Sequence, residues 1–258
     1  TFCHAKALAT ILDHRVEVPD VNLVKLALPR EKAYGHRFFP DIQTSLISVG
    51  DFRATVTTYD REYTMKNGHA SGGALTLLWH EKTGAILTAS MNEYQLKEPN
   101  NMQPDTDLNS MSLTPRLELK KDSRFMNISD LKASLEVFGE GSATIVRVQS
   151  QLVDLDQNSP LSGKVSCHAV YHFHPDKVTL EFSAEQNNES VRIVFPVISK
   201  SSERMELISF WEIHLHKEKA MVKIKSDSDF EILPTSGTRI FNFVPGLESI
   251  PLAINRSS

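Results

Sequence analysis

Cysteine is nearly absent: Cys3 and Cys167 are the only two thiols in 258 residues and lie far apart. That excludes a disulfide framework and a cysteine-built zinc cluster, and it leaves the redox compartment open. No window approaches the run of about 18 apolar residues needed to cross a bilayer, so no membrane span is expected. The opening residues, Thr1-Phe-Cys-His-Ala-Lys, lack the pattern of a secretion signal, and no initiating Met stands before them, so the chain reads as a fragment or processed product. Polybasic stretches are also missing. With 28 basic and 32 acidic side chains and a net charge of -4, nucleic acid is not an expected partner. There is no Gly-rich phosphate loop, no Gly-x-Ser-x-Gly elbow and no Cys-x-x-Cys pair, so nucleotide, serine-hydrolase and thiol chemistries have no local support and no cofactor is implied. Internal repeats and low-complexity tracts are absent as well.

What is there is enough apolar side chain to build a core: 40% of the residues are hydrophobic, a content that fits one large β domain or two ordinary ones. Phe2, Ala5, Leu8, Ala9, Leu12 and Val16 recur at helical steps and stop before Pro19, predicting one short amphipathic helix within residues 1–30. From residue 31 to 258 the pattern is different. Short runs of β-branched and aromatic residues alternate with Gly, Asn, Asp and Pro. Candidate strands lie near Thr44–Val49, Arg53–Tyr59, Ala74–Trp79, Ala85–Ser90, Arg116–Lys120, Lys132–Phe138, Thr144–Val153, Lys164–Phe173, Val178–Ser183, Val191–Val197, Glu206–His214, Ala220–Ile224 and Arg239–Val244. No helix is long enough to connect parallel neighbours, so the fold class is mainly β, a large antiparallel sandwich of two sheets behind a short N-terminal helix. The stretch from Glu98 to Ser112, rich in Asn, Asp and Pro, reads as a long surface loop that is either a solvated crossover or a cover for a site.

The chemistry-bearing residues are mostly histidines. His69-Ala-Ser71-Gly-Gly73-Ala-Leu75 puts an imidazole, a group that titrates near neutrality, on the lip of a strand whose remainder is apolar. His172-Phe-His174 and His214-Leu-His216 each set two imidazoles on one side of a strand, but neither pair comes with an identifiable third ligand, and a wet strand face accounts for both. Tyr59 and Tyr63 flank the polar turn Asp60-Arg61-Glu62 and are the aromatic residues best placed for an exposed site. Trp79 and Trp211 lie in apolar runs and read as core. Asn127-Ile-Ser129, Asn188-Glu-Ser190 and Asn255-Arg-Ser257 match the glycosylation acceptor pattern, which matters only in a eukaryotic secretory setting.

The order Tyr34-Gly-His-Arg-Phe-Phe-Pro-Asp, Thr44 to Val49, Arg53 to Tyr59, His69 to Leu75 and Ile86 to Tyr94 resembles the start of the β-sandwich region of heparinase II/III-like polysaccharide lyases. The resemblance covers about the first hundred residues. It implies an antiparallel sandwich joined to a helical toroid, with an acidic polysaccharide of the glycosaminoglycan kind cut by β-elimination between them. In an ungapped match His69 falls on the family's acid/base histidine and Leu75 on its leucine, whereas Ser71 and Gly73 replace a ligand histidine and an aspartate, so the resemblance implies that the structural metal is lost here. A register shifted by two puts His69 on the ligand position and Asn67 on the catalytic one. Thr88 to Tyr94 also lacks the aspartate expected there.

The expectation is therefore a carbohydrate-associated β-sandwich that forms one wall of a cleft for an acidic polysaccharide and is inactive without the upstream helical domain of the same protein. His69 is its catalytic residue. Tyr59, Arg61, Tyr63 and Asn67 are the substrate contacts, Arg61 by the fork its guanidinium offers to a carboxylate. A secreted or periplasmic location follows from the resemblance alone. The alternative is a noncatalytic sugar-binding or cell-surface structural module in which the histidine is incidental. A third possibility, a mutarotase-like enzyme, needs an acid/base pair such as His69 with Glu93 in one pocket.

Overall fold

The computed structural model describes residues 32–58, 69–92, 111–185, 190–233, 238–242 and 246–255. The chain divides into two units, Thr1–Lys32 and Ala33–Ser258, and the second is the one described. The N-terminal helix expected within residues 1–30 lies outside the described residues, as do the segments 59–68 and 93–110.

Every sheet is antiparallel. The first is a meander of β1 (Gly35–Phe39), β2 (Thr44–Val49), β3 (Phe52–Thr57), β4 (Ala74–His80) and β5 (Gly84–Thr88), paired in chain order. After β6 (Arg116–Leu119), the strands β7 (Ser134–Glu140), β8 (Ala143–Gln151), β9 (Ser166–Phe173) and β10 (Val178–Ala184) form a second sheet. A third takes β6, β11 (Val191–Ile198), β15 (Glu231–Ile232), β16 (Ile240–Asn242) and β17 (Leu247–Asn255), with β17 bonded to β11, β15 and β16. The fourth is the hairpin pair β12 (Arg204–Ser209), β13 (Glu212–His216) and β14 (Met221–Lys225).

Strict two-residue alternation explains why these segments are strands. In β9, Cys167, Ala169, Tyr171 and Phe173 are buried while Ser166, His168, Val170 and His172 face outward. β3 alternates in the same way. The inward residues of all four sheets join in one core, including Ile47, Leu75, Val148, Tyr171, Val197 and Leu252. β5 packs against β11, and β1 and β2 against β7 and β8. The mainly β, antiparallel expectation is thus correct, and the strands are distributed over four hydrogen-bonded sheets.

Two further differences have local causes. The predicted strand Glu206–His214 is a hairpin whose turn is Phe210–Trp211, fixed where the Ser209 Oγ accepts from the Trp211 backbone N–H at 3.4 Å. Trp211 is consequently 51% exposed rather than core, and Phe210 beside it is 67% exposed. β1 and β17 were not foreseen. Pro251 in β17 stands opposite Pro196 in β11, and two prolines can oppose each other in a ladder only where neither N–H would have pointed at the partner strand.

Candidate functional site

The segment entering β4 is a corner rather than a loop. Gly72 and Gly73 have φ of +55° and +80°, a region open at low strain only to glycine. A Cβ on Gly72 would lie 1.8 Å from the Asn127 carbonyl oxygen, and one on Gly73 would lie 2.0 Å from Val148 Cγ1. The corner is clamped from several sides. Tyr171 Oη donates to the Gly73 carbonyl at 3.0 Å, and Asn127 Nδ2 donates to that of Gly72 at 3.4 Å. Ser71, fully buried, places its Oγ 3.3 Å from the Ile128 carbonyl oxygen and 3.1 Å from that of Asp130. Ser71 and Gly73, the two positions where the resemblance expected a histidine and an aspartate, are thereby committed to architecture.

At the start of this corner stands His69, whose side chain is exposed. Its carbonyl accepts from Asn92 Nδ2 at 3.4 Å, and the same nitrogen lies 3.2 Å from both the Ile128 carbonyl and Ser129 Oγ. The buried Asn92 Oδ1 has no partner among the described residues. The histidine thus projects from a fixed base. Tyr59, Arg61, Tyr63, Asn67 and Glu93, expected to surround it, lie outside the described residues.

Asp130, which follows the 3-10 turn Asn127–Ser129 that clamps the corner, lines a concavity of about 490 Å³ at one end of the β7–β10 sheet. Asp130, Lys132, Gln149, Gln151, Lys164 and His168 are among its lining residues. Its carboxylate from Asp130 is already engaged, accepting from the backbone N–H groups of Lys132 and Gln151, each at 2.8 Å. Gln157 is engaged too, through Nε2 to the Ser129 carbonyl at 2.8 Å. Under the floor, burial and then the charges of Asp130 and Glu185 push the Cys167 thiol up to about 12, so it is no nucleophile at neutral pH. Sequence reasoning did not single out this concavity, because its lining comes from four separated stretches of ordinary polar residues.

The paired histidines occupy outward strand faces. His172 and His174 stack with ring centroids 6.5 Å apart, and His172 Nε2 lies 3.2 Å from Glu181. On β13, His214 Nε2 lies 2.6 Å from Glu212, and His216 Nε2 lies 3.0 Å from Glu206. His172, His214 and His216 are each matched to a carboxylate, and no group of three or more potential metal ligands occurs among the described residues. Asn127, in the first glycosylation pattern, is 2% exposed, and its Oδ1 accepts the Leu117 N–H at 2.7 Å. It is a structural pin, not an acceptor site in the folded domain.

The class is that of mainly β, antiparallel domains with an exposed histidine at a rigid corner. More narrowly, the chain belongs to the ulvan lyase C-terminal domain family, whose model matches residues 36–258. A broad-specificity ulvan lyase from Formosa agariphila is 36% identical over 263 residues, which cover 98% of this chain and 40% of that enzyme. The chain therefore spans about 40% of the length of the curated relative it matches. No solved structure matches it. These findings support a polysaccharide lyase C-terminal domain and do not support the narrower heparinase II/III-like assignment. No helix among the described residues is long and apolar enough to cross a membrane.

Proposed function

We propose that this domain forms one wall of a cleft for an acidic polysaccharide in a longer lyase that acts outside the cytoplasm, and that it is inactive alone. The observation that carries the reading is the exposed His69, projecting from the fixed Ser71-Gly72-Gly73 corner in a domain of this family. In β-elimination a base removes the proton at C5 of a uronic acid, the C4–O bond breaks, a C4–C5 double bond forms and the departing oxygen takes a proton. An imidazole held at the rim of a sheet serves one of those proton transfers. The carboxylate must also be neutralised so that negative charge can develop at C5, a task suited to Arg61. Tyr59, Tyr63 and Asn67 complete the proposed contacts. The other catalytic groups come from the rest of the longer protein.

The test is turnover of ulvan by the longer protein, followed as absorbance of the unsaturated product. His69→Ala is expected to lower kcat at least about 100-fold, while the chain alone gives no product. Unchanged turnover in the variant removes His69 from the mechanism and favours the rival reading, a noncatalytic sugar-binding module.

A further inference from the structure

We propose that the concavity at the end of the β7–β10 sheet, beside the turn Asn127–Ser129, is a binding site for an anionic saccharide, additional to the His69 lip. The proposal rests on the reading that this domain handles acidic polysaccharide, and it assigns that handling to residues with no place in the elimination step.

Three features point to such a ligand. The first is an excess of available donors. Among the described residues, the side chains of Lys132, Lys164, Gln149, Gln151 and His168 line the concavity and have no hydrogen-bond partner. The Asp130 carboxylate keeps its charge but is turned toward the backbone N–H groups of Lys132 and Gln151, which occupy both of its oxygens. The Glu185 carboxylate and the amide oxygens of Gln149 and Gln151 are acceptors suited to sugar hydroxyls. Two ammonium groups, and two amides that each donate and accept, match a ring that carries hydroxyls and a negative group.

The second feature is spacing. Ser134, Gln149, His168 and Ser183 stand directly opposite one another across β7, β8, β9 and β10, and Gln151 stands opposite Ser166 in a parallel row. Neighbouring strands lie about 4.8 Å apart, so the first row repeats polar side chains at roughly the length of one pyranose unit. The third is size and rigidity. A volume of about 490 Å³ lies within the range of roughly 300–1,000 Å³ typical of small-ligand sites. Most of the wall is regular sheet, which loses little freedom on binding.

Calorimetric titration of the chain with ulvan oligosaccharides tests the assignment, with dextran as the neutral control. Oligogalacturonate and dextran sulfate separate a carboxylate from a sulfate ester as the anionic group. Lys132→Ala/Lys164→Ala is expected to weaken binding of the acidic probe at least about tenfold, since it removes two charge-assisted contacts. Gln149→Ala should weaken it several-fold, and Lys223→Ala/Lys225→Ala, which removes the same charge on β14, should leave it unchanged. All the substituted side chains are solvent-facing, and matching thermal midpoints establish that the variants fold. Equal weakening by both lysine pairs, or none by the first, overturns the site. Absence of binding to every acidic probe also overturns it, whereas the proposed lyase role stands or falls separately on His69→Ala turnover.

Discussion

Ser71, Gly72 and Gly73 show how one short motif divides between chemistry and architecture. The exposed imidazole of His69 is the part proposed for chemistry, and Ser71, Gly72 and Gly73 build the corner beneath it. Gly73→Ala forces a methyl group onto Val148 in a backbone conformation that alanine avoids. The variant is expected to lose at least about 2 kcal/mol of stability, measured by urea unfolding. A loss well below that would mean that the corner relaxes and that His69 is not rigidly presented. The sequence made His69 stand out because a polar, titratable side chain precedes an apolar strand. It could not show that Ser71 and Gly72 face the turn at Asn127, since that contact joins residues more than fifty positions apart.

At the scale of the element, legibility followed periodicity. β2 was delimited correctly, and β9 was readable because four inward residues alternate with four outward ones. The β12–β13 hairpin was not, because Leu207, Ile208, Phe210 and Trp211 form an apolar stretch broken only by Ser209, and the turn sits inside it. On its outward face this hairpin carries a ladder of imidazoles and carboxylates. Hydrogen bonding to His216 lowers the Glu206 carboxyl below its ordinary value, and hydrogen bonding to His214, then Lys225, does the same for Glu212. A carboxyl whose folded value is lowered contributes stability that is complete above the unfolded value of 4.5 and is lost as pH falls through the folded value. Between about pH 6 and about pH 3, the melting temperature of the native chain should therefore fall further than that of Glu206→Gln/Glu212→Gln. Parallel curves would show that these exposed pairs contribute nothing.

Across the whole molecule, the third sheet depends on pieces the sequence could not connect. Glu118 of β6 is 1% exposed and accepts from Arg116 Nε at 2.6 Å and from Arg192 Nε of β11 at 2.7 Å. Glu118→Gln leaves two guanidinium groups without their shared anion, one of them buried. A loss of about 3–5 kcal/mol is expected, read from denaturant midpoints, and a change within error would mean that water replaces the carboxylate. Neither this triad nor the central position of β17 carries a local signal, since both come from pairing distant strands.

The order β15, β17, β11, β6 places in the sheet interior a strand that leaves the ribosome after all its partners. Until Leu247–Asn255 emerges, one edge of β11 offers unsatisfied amides and carbonyls to any neighbouring nascent chain. Synthesis that stops before Leu247 therefore leaves an adhesive seam open along β11.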